Sequence, residues 1–498
     1  MGEKMHLLAL LLFALGPVTS VPVLPPLQRS MTGLKEYDIK NAEEPQGILS
    51  RIIKVNKEKK LALLQGDILI KPGRSAVKCN GSCFWPKSAD GMVLLPYSFG
   101  SKYNNQENNL FKTSMDEYEA LTCVRLVPRT TEKDYLNIVS SKGCVAYVGR
   151  LGEGQMLGVD SNGCMYRGII QHEINHALGF YHEHMRSDRD DYVTIRYQYI
   201  SAADRGNFNK ADSNNLGLEY DYGSVMHYDK YEFTNTTGQP TIMPKPNPNV
   251  PIGQRVGISP LDVAKINRLY QCDVCATLLN EKSGILKSAN YPSAYPHNAN
   301  CVWLIRTPSN QVSLNFIAFD VQSSPNCTSD YIRIYDGPTK NYQMLLDRTC
   351  GTGLIPPIIA STNQLLVEFS SDSKDAGLGF RALYGSVKCG GTFYASRATF
   401  TSPGYPNAYG PNLNCVYEIK APAEKKITMT FSDFSTEDAP SCSYDYVKIL
   451  DGSTTIGQFC GESKIADITS TTNNVKLTFV SDELFEKKGF KASYTFHN

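Results

Sequence analysis

The sequence predicts a multidomain protein in which one α+β domain is followed by two all-β sandwiches. Three observations lead there. The half beyond Cys275 repeats itself: Cys275 and Cys389 are 114 residues apart, as are Cys301 and Cys415. ANYPSAYPHNANCVW matches PGYPNAYGPNLNCVY, and DYIRIYDG matches DYVKILDG. A unit of that length is too long for a solenoid repeat and fits a whole sandwich. Within the copies, VSLNFIAF and ITMTFSDF alternate apolar and polar residues between Gly, Pro and Asn turns, the period of a half-buried strand. Between Cys79 and Cys272, short strand-like runs such as CVRLVP and YLNIVS precede a helical pattern, GIIQHEINHALG, which reads as α+β.

The 498 residues allow about three domains at roughly 150 residues each. Lys and Arg number 50 against 49 Asp and Glu, a net charge of +1, which leaves no basic excess for phosphates and excludes nucleic acid as a partner. Hydrophobic residues make up 41% and charged residues 20%, the balance of a folded chain. Fourteen cysteines, an even number, point to disulfides and an oxidising compartment.

The segments follow in order. Lys4 precedes LLALLLFALG, and Val18 and Ser20 fit a small-residue cleavage pattern, so residues 1–20 read as a secretory signal. Its apolar run is too short to span a bilayer, and nothing downstream resembles a membrane span. Residues 21–74 lack cysteine, open on VPVLPPLQ and carry the basic RIIKVNKEKK. They read as a pro-segment, with an activating protease cutting after Arg74 in KPGRSAVKC. The three domains are then 75–273, 275–387 and 389–498. The mature protein is expected to be secreted and extracellular.

The chemistry concentrates in His172-Glu173-Ile174-Asn175-His176-Ala177-Leu178-Gly179-Phe180-Tyr181-His182. His172 and His176 are four apart and project from one helix face, where two imidazoles can share one Zn²⁺. Glu173 stands between them, placed to take a proton from water as general base. Gly179 can adopt positive φ, end the helix and bring His182 round as third ligand. Three neutral nitrogens leave the ion its full charge and an open position. The pattern HExxHxxGxxH is the metzincin signature, and Ser224-Val225-Met226-His227-Tyr228 supplies its methionine turn, with Met226 beneath the metal. His184 and His227 adjoin the site and read as scaffold.

HEINHALGFYHEHMRSDRDDYV followed by SVMHY resembles the astacin family of secreted zinc endopeptidases, matching Phe180, Glu183, Arg186, Asp188, Arg189 and Asp190 of its extended motif. The resemblance implies a metzincin catalytic domain made as a zymogen. His172, His176 and His182 would bind zinc; Glu173 would be the base and then a proton shuttle. Tyr228 would stabilise the tetrahedral intermediate, as a phenol beside a developing oxyanion can. Glu183 would contact the new N-terminus at Ser75. Asp67, in LLQGD, resembles the pro-segment aspartate that ligates zinc, although Leu64 stands where the family usually has an aromatic. The implied disulfides are Cys123–Cys272 and Cys144–Cys164, with Cys79–Cys83 as in the family's hatching enzymes.

The repeat resembles the CUB domain, a β-sandwich of extracellular proteins. It suggests Cys275–Cys301, Cys327–Cys350, Cys389–Cys415 and Cys442–Cys460. Many CUB domains bind Ca²⁺ through one Glu and two Asp, which the second module supplies as Glu437, Asp445 and Asp482; three loop carboxylates repel unless a hard cation joins them. The first module has Gln322, Asp330 and Asp372, one charge fewer. Asn80, Asn235 and Asn326 lie in glycosylation sequons. Domain order and the extra cysteine pair resemble vertebrate hatching enzymes, amphibian ones especially, implying egg-envelope glycoproteins as substrate. Matrix or growth-factor processing is the alternative, and a non-catalytic CUB adhesion protein the alternative of another class.

Overall fold

In the computed structural model, residues 48–60, 63–70, 83–140, 142–254, 256–353, 355, 357–394, 396–462 and 464–498 are described. The expected signal, most of the expected pro-segment, Arg74, Ser75, Cys79 and Asn80 lie outside them. The first element, α1 (Ile48–Glu58), buries Ile52, Ile53 and Val55 on the first domain and leaves its lysines outward. Asn56 ties it down, donating to the carbonyls of Gly66 (2.8 Å) and Cys144 (2.7 Å) and accepting from Cys144 N–H (2.9 Å).

The first domain is built on β1 (Val93–Phe99), β2 (Val124–Pro128), β3 (Tyr135–Val139), β4 (Cys144–Ala146) and β5 (Gly154–Val159). They form one sheet in the order β2-β1-β3-β5-β4, parallel except for the antiparallel edge strand β4. Two helices pack with it. α2 (Asn105–Leu121) stands between β1 and β2, earlier than the strands-then-helix order expected from sequence. Its polar first turn hides it, yet Asn104 and Glu107 form a capping box, and Phe111, Met115, Tyr118 and Leu121 are buried at helical spacing. α3 (Arg167–Ala177) carries the histidine motif and is buried from Gly168 onward, so it is held on all sides rather than on one stripe. Beyond it the chain is largely irregular, with a two-stranded ribbon of β6 (Val193–Ile195) and β7 (Ile242–Pro244), and closes on α4 (Pro260–Leu269).

The second domain comprises β8 (Cys275–Leu279), β9 (Ser283–Lys287), β10 (Asn300–Arg306), β11 (Gln311–Val321), β12 (Tyr331–Tyr335), β13 (Met344–Thr349), β14 (Gly351–Thr352), β15 (Ile358–Ile359), β16 (Gln364–Ser370) and β17 (Gly379–Val387). One sheet runs β13-β12-β16-β10-β8 and the other β14-β11-β17-β9, with β15 on β11. The third domain repeats the plan, with central pairs Asn414–Lys420 on Asn474–Val480 and Lys426–Ser435 on Gly489–His497. The repeat is therefore two sandwiches, as expected. Six of the seven expected disulfides are formed: Cys123–Cys272, Cys144–Cys164, Cys275–Cys301, Cys327–Cys350, Cys389–Cys415 and Cys442–Cys460. Cys83 is disulfide-bonded, and its expected partner Cys79 is outside the described residues.

The first sandwich is not a loose appendage. Leu278, Leu304, Tyr335 and Leu366 belong to the same buried apolar cluster as α2 and α3. Arg306, wholly buried at the end of β10, pairs with the equally buried Glu117 of α2 and donates to the Ile258 carbonyl (2.6 Å). Gln364 of β16 donates to the other Glu117 oxygen (2.8 Å), and Tyr342 to Asp116 (2.8 Å). Gln171, the residue before the first histidine, donates to Glu117 (2.9 Å) and accepts from Ile258 N–H (2.9 Å).

Candidate active site

α3 presents His172 and His176 on one face, and Gly179, at φ +109°, turns the chain so that His182 returns to them. Only glycine suits that φ without strain, and a Cβ there would meet Phe84 at 3.0 Å. The three rings gather with centroids 4.8 to 5.2 Å apart. Each Nδ1 faces an oxygen: Val225 carbonyl for His172 (2.9 Å), Phe180 carbonyl for His176 (2.8 Å), Gln65 Oε1 for His182 (2.8 Å). An oxygen partner puts the proton on Nδ1, so each Nε2 turns a bare lone pair inward. Burial lowers the pKa of His176, and that of His182 to about 4, which keeps both neutral.

Asp67, in the stretch read from sequence as a pro-segment, reaches into this centre. Its Oδ2 lies 3.0 Å from His172 Nε2 and 3.1 Å from His182 Nε2, and its Oδ1 is 3.7 Å from His176 Nε2. All four groups are buried and can offer ligand atoms within 4.8 Å of one another. His176 Nε2, Asp67 Oδ1 and both oxygens of Glu173 are buried without a hydrogen-bond partner. Lone pairs facing lone pairs, with orphaned oxygens beside them, are what a divalent cation resolves, and the His₃ donor set suits zinc. Burial, then the charge of Asp67, raises the Glu173 pKa well above the ordinary range.

The flanking residues have definite jobs. Tyr228, fully buried, packs against His184 with ring centroids 3.7 Å apart and planes tilted by 34°, and donates to the Gln65 carbonyl (2.8 Å). His184 bonds the Asn207 carbonyl and His227 the Tyr220 hydroxyl, so neither joins the trio. Met226 is buried in the same core, and its carbonyl accepts from Glu183 N–H (3.0 Å). Glu183 already has partners in Lys265 (2.6 Å), Arg186 (3.3 Å) and Asp221 N–H (2.9 Å). Arg186 grips Asp188 with two donors, and Arg189 holds the His184 and Phe208 carbonyls, so this part of the motif is scaffold.

Two contributors were not anticipated from sequence. Gln65 holds both His182 and Tyr228; its only signal was its place two before Asp67. Asp262 accepts from Ser224 Oγ (2.6 Å) and Val225 N–H (2.9 Å), pinning the turn whose carbonyl orients His172. Its signal was the S-x-x-D capping box at Ser259.

In the second sandwich, Glu437, Asp445 and Asp482 come together within 4.8 Å, with Glu437 Oε2 buried and unpartnered, as a hard cation would require. Asp445 is set by Tyr409 (2.5 Å) and Asp482 N–H (2.8 Å). In the first sandwich Tyr295, Asp330 and Asp372 repeat that geometry, but Gln322 bonds Asp375 (3.4 Å) instead of completing a carboxylate set. Asn235 and Asn326 are exposed. Among the described residues no helix is long and apolar enough to cross a membrane.

Residues 83–271 match the model of the astacin peptidase family, and residues 275–384 and 389–494 match the CUB domain model. Embryonic protein UVS.2 of Xenopus laevis is 54% identical over 457 residues, spanning 91% of this chain and 88% of that one. The astacin-like metalloendopeptidase of Gallus gallus is 50% identical over 346 residues, 69% of this chain and 84% of its own. Among solved structures, high choriolytic enzyme 1, a hatching enzyme zinc-protease from Oryzias latipes, is 49% identical, covering 40% of this chain and 99% of that one with a TM-score of 0.38. With its histidine trio, its methionine turn and a relative alike over nearly its whole length, this chain belongs to the astacin family of metalloendopeptidases and carries two CUB domains.

Proposed function

We propose that the chain is the secreted zymogen of a zinc endopeptidase that digests egg-envelope glycoproteins at hatching. The observation that carries the catalytic part is the convergence of three Nε2 lone pairs, each fixed through its Nδ1, beside the unpartnered Glu173 carboxyl. His172, His176 and His182 would hold a zinc ion, whose charge would acidify water and polarise a peptide carbonyl. Glu173 takes a proton from the attacking water and hands it to the leaving amine. Tyr228, once freed from Gln65, donates a hydrogen bond to the oxyanion. Met226 supports the histidines from below, and Glu183 receives Ser75 as the new N-terminus.

Latency lies with the pro-segment. Asp67 stands where water must enter, Gln65 occupies Tyr228, and an activating protease cutting after Arg74 releases both. Secretion is supported by residues 1–20 and by six disulfides, which an oxidising compartment preserves. The hatching role is supported by the resemblance of the domain order and by the relative described as embryonic. Calcium at Glu437, Asp445 and Asp482 would order one edge of the second CUB domain, and a second contact on a polymeric envelope raises the effective concentration of the protease. Asn235 and Asn326 would carry glycans.

The processed chain should cleave unfolded protein, lose that activity to a chelator and regain it with zinc. Glu173→Gln should abolish turnover with zinc still bound. Isolated egg envelopes should dissolve in the active chain and not in this variant. Unfolded-protein cleavage without envelope dissolution would remove the hatching role and leave the peptidase.

A further inference from the structure

The pro-segment does more than bring Asp67 to the histidines. Ile68 bridges Ala146 on edge strand β4, and Leu69 N–H donates to the Ala146 carbonyl (2.8 Å), so the segment takes the sheet edge an extended peptide would use. Upstream, α1 covers the loop after Tyr228. Ser50 Oγ donates to Glu232 Oε2 (2.8 Å), and Lys57 Nζ lies 5.6 Å from the centre of the Phe233 ring. Phe233 itself stands 5.9 Å from Tyr228 and would lie 3.4 Å from a Cβ on Gly66. Glu232 and Phe233 therefore form a wall beside the candidate catalytic groups, and the pro-segment is what lies against it.

Glu232 is only 4% exposed, and its side-chain hydrogen bond comes from Ser50, a residue that activation removes. Its backbone is fixed independently of α1: Thr241 Oγ1 donates to its carbonyl (2.7 Å). The helix facing it carries Arg51, Lys54 and Lys57 against one acid, Glu58, and in the turn that follows Lys59 pairs with Asp160 (2.8 Å). Burial under α1 pushes the Glu232 carboxyl up to about 8; opened to water, it ionises at neutral pH.

We propose that Glu232 is a specificity-determining residue of the cleft, uncovered when the pro-segment leaves and pairing with a lysine or arginine side chain of the substrate. The inference rests on the zymogen reading above. Such a pair, half-shielded by Phe233, discriminates against a neutral side chain of equal length because only the cation answers the carboxylate.

The test uses the activated full-length chain with zinc and a peptide series carrying lysine or norleucine at each position around the cut. Wild type should favour lysine about tenfold or more in kcat/KM at one position. Glu232→Gln should bring that ratio to about 1, Glu232→Asp should keep a preference, and Glu232→Lys should favour glutamate over glutamine there. Zinc content and unfolding temperature establish that each variant is folded. A wild type indifferent to basic residues at every position, or a preference unchanged in Glu232→Gln, overturns the proposal. Absence of zinc-dependent cleavage of any peptide overturns instead the peptidase reading, and this proposal with it.

Discussion

Three histidines hold their inward nitrogens bare because their other nitrogens are engaged, and a single aspartate, Asp67, sits among them. Asp67→Ala, in a chain made uncleavable by Arg74→Gln, should therefore leak activity, at least about tenfold above the same chain with Asp67 intact, in turnover of unfolded protein. Equal latency in both would show that coverage by α1, and not the carboxylate, silences the site. Glu232 adds a pH dependence. Burial lifts its carboxyl to about 8 under α1; repulsion by Asp229 and Asp67 adds to this, while Ser50 and Lys57 oppose it. Once uncovered it returns toward the ordinary value of 4.5. The docked state then keeps a proton that the undocked state has lost, so docking is strongest below that ordinary value and weakens as pH rises through about 8. The slope is at most about tenfold per pH unit for one proton. Binding of a peptide spanning residues 48–70 to the mature chain should weaken from pH 5 to pH 8, and less steeply in Glu232→Gln. Identical slopes would remove Glu232 from that linkage. His172, His176, His182 and Glu173 were legible in the sequence because their spacing is dictated by one helical turn and one glycine. Gln65 and Glu232 were not, because their partners lie far away in the chain, at His182, Tyr228 and Ser50.

At the level of elements, the site depends on how α4 meets the turn at Ser224–Tyr228. Asp262 closes its own helix cap with Ser259 and also holds Ser224 and Val225, whose carbonyl fixes the His172 ring. Asp262→Ala leaves the Val225 N–H buried without its acceptor, at a cost of about 1–3 kcal/mol. It also loosens a group that orients His172, a proposed metal ligand, and such losses lower affinity roughly 10–100-fold. Zinc competition against a chromophoric chelator should show that drop with all three histidines in place; unchanged affinity would mean the turn stands without α4. The repeat and its strands were readable because period-two alternation survives in sequence. α2 was harder to see: NQENN opens it with polar residues, and its apolar stripe begins only at Leu110. The parallel pairing of β1, β2 and β3 has no local signature, since partners in a parallel sheet are joined by long crossovers.

Over the whole molecule, the protease and the first CUB domain share a buried apolar cluster and a buried ion pair, and the pair reaches the histidine-bearing helix α3. Arg306 from β10 meets Glu117, Glu117 meets Gln171, and Gln171 adjoins His172. Nothing in the repeat announced this: Arg306 closes a strand of ordinary pattern, and only docking buries it. Two consequences follow from desolvation. A buried charge that loses its partner is strongly destabilising, about 3–5 kcal/mol, whereas exchanging both partners for apolar groups of similar size is often neutral. Arg306→Ala should therefore lower the unfolding temperature of the full chain markedly, Glu117→Leu alone should lower it further because it also strips Gln171, Gln364 and Arg167 of their acceptor, and Arg306→Met with Glu117→Leu should recover only the part owed to the stranded Arg306. If the interface joins the two domains into one cooperative unit, calorimetry of the wild type shows them melting together, and Arg306→Ala splits off a separate transition. Independent melting of the wild-type domains, or an Arg306→Ala variant as stable as its parent, would mean that the CUB domain only tethers the protease and does not brace it.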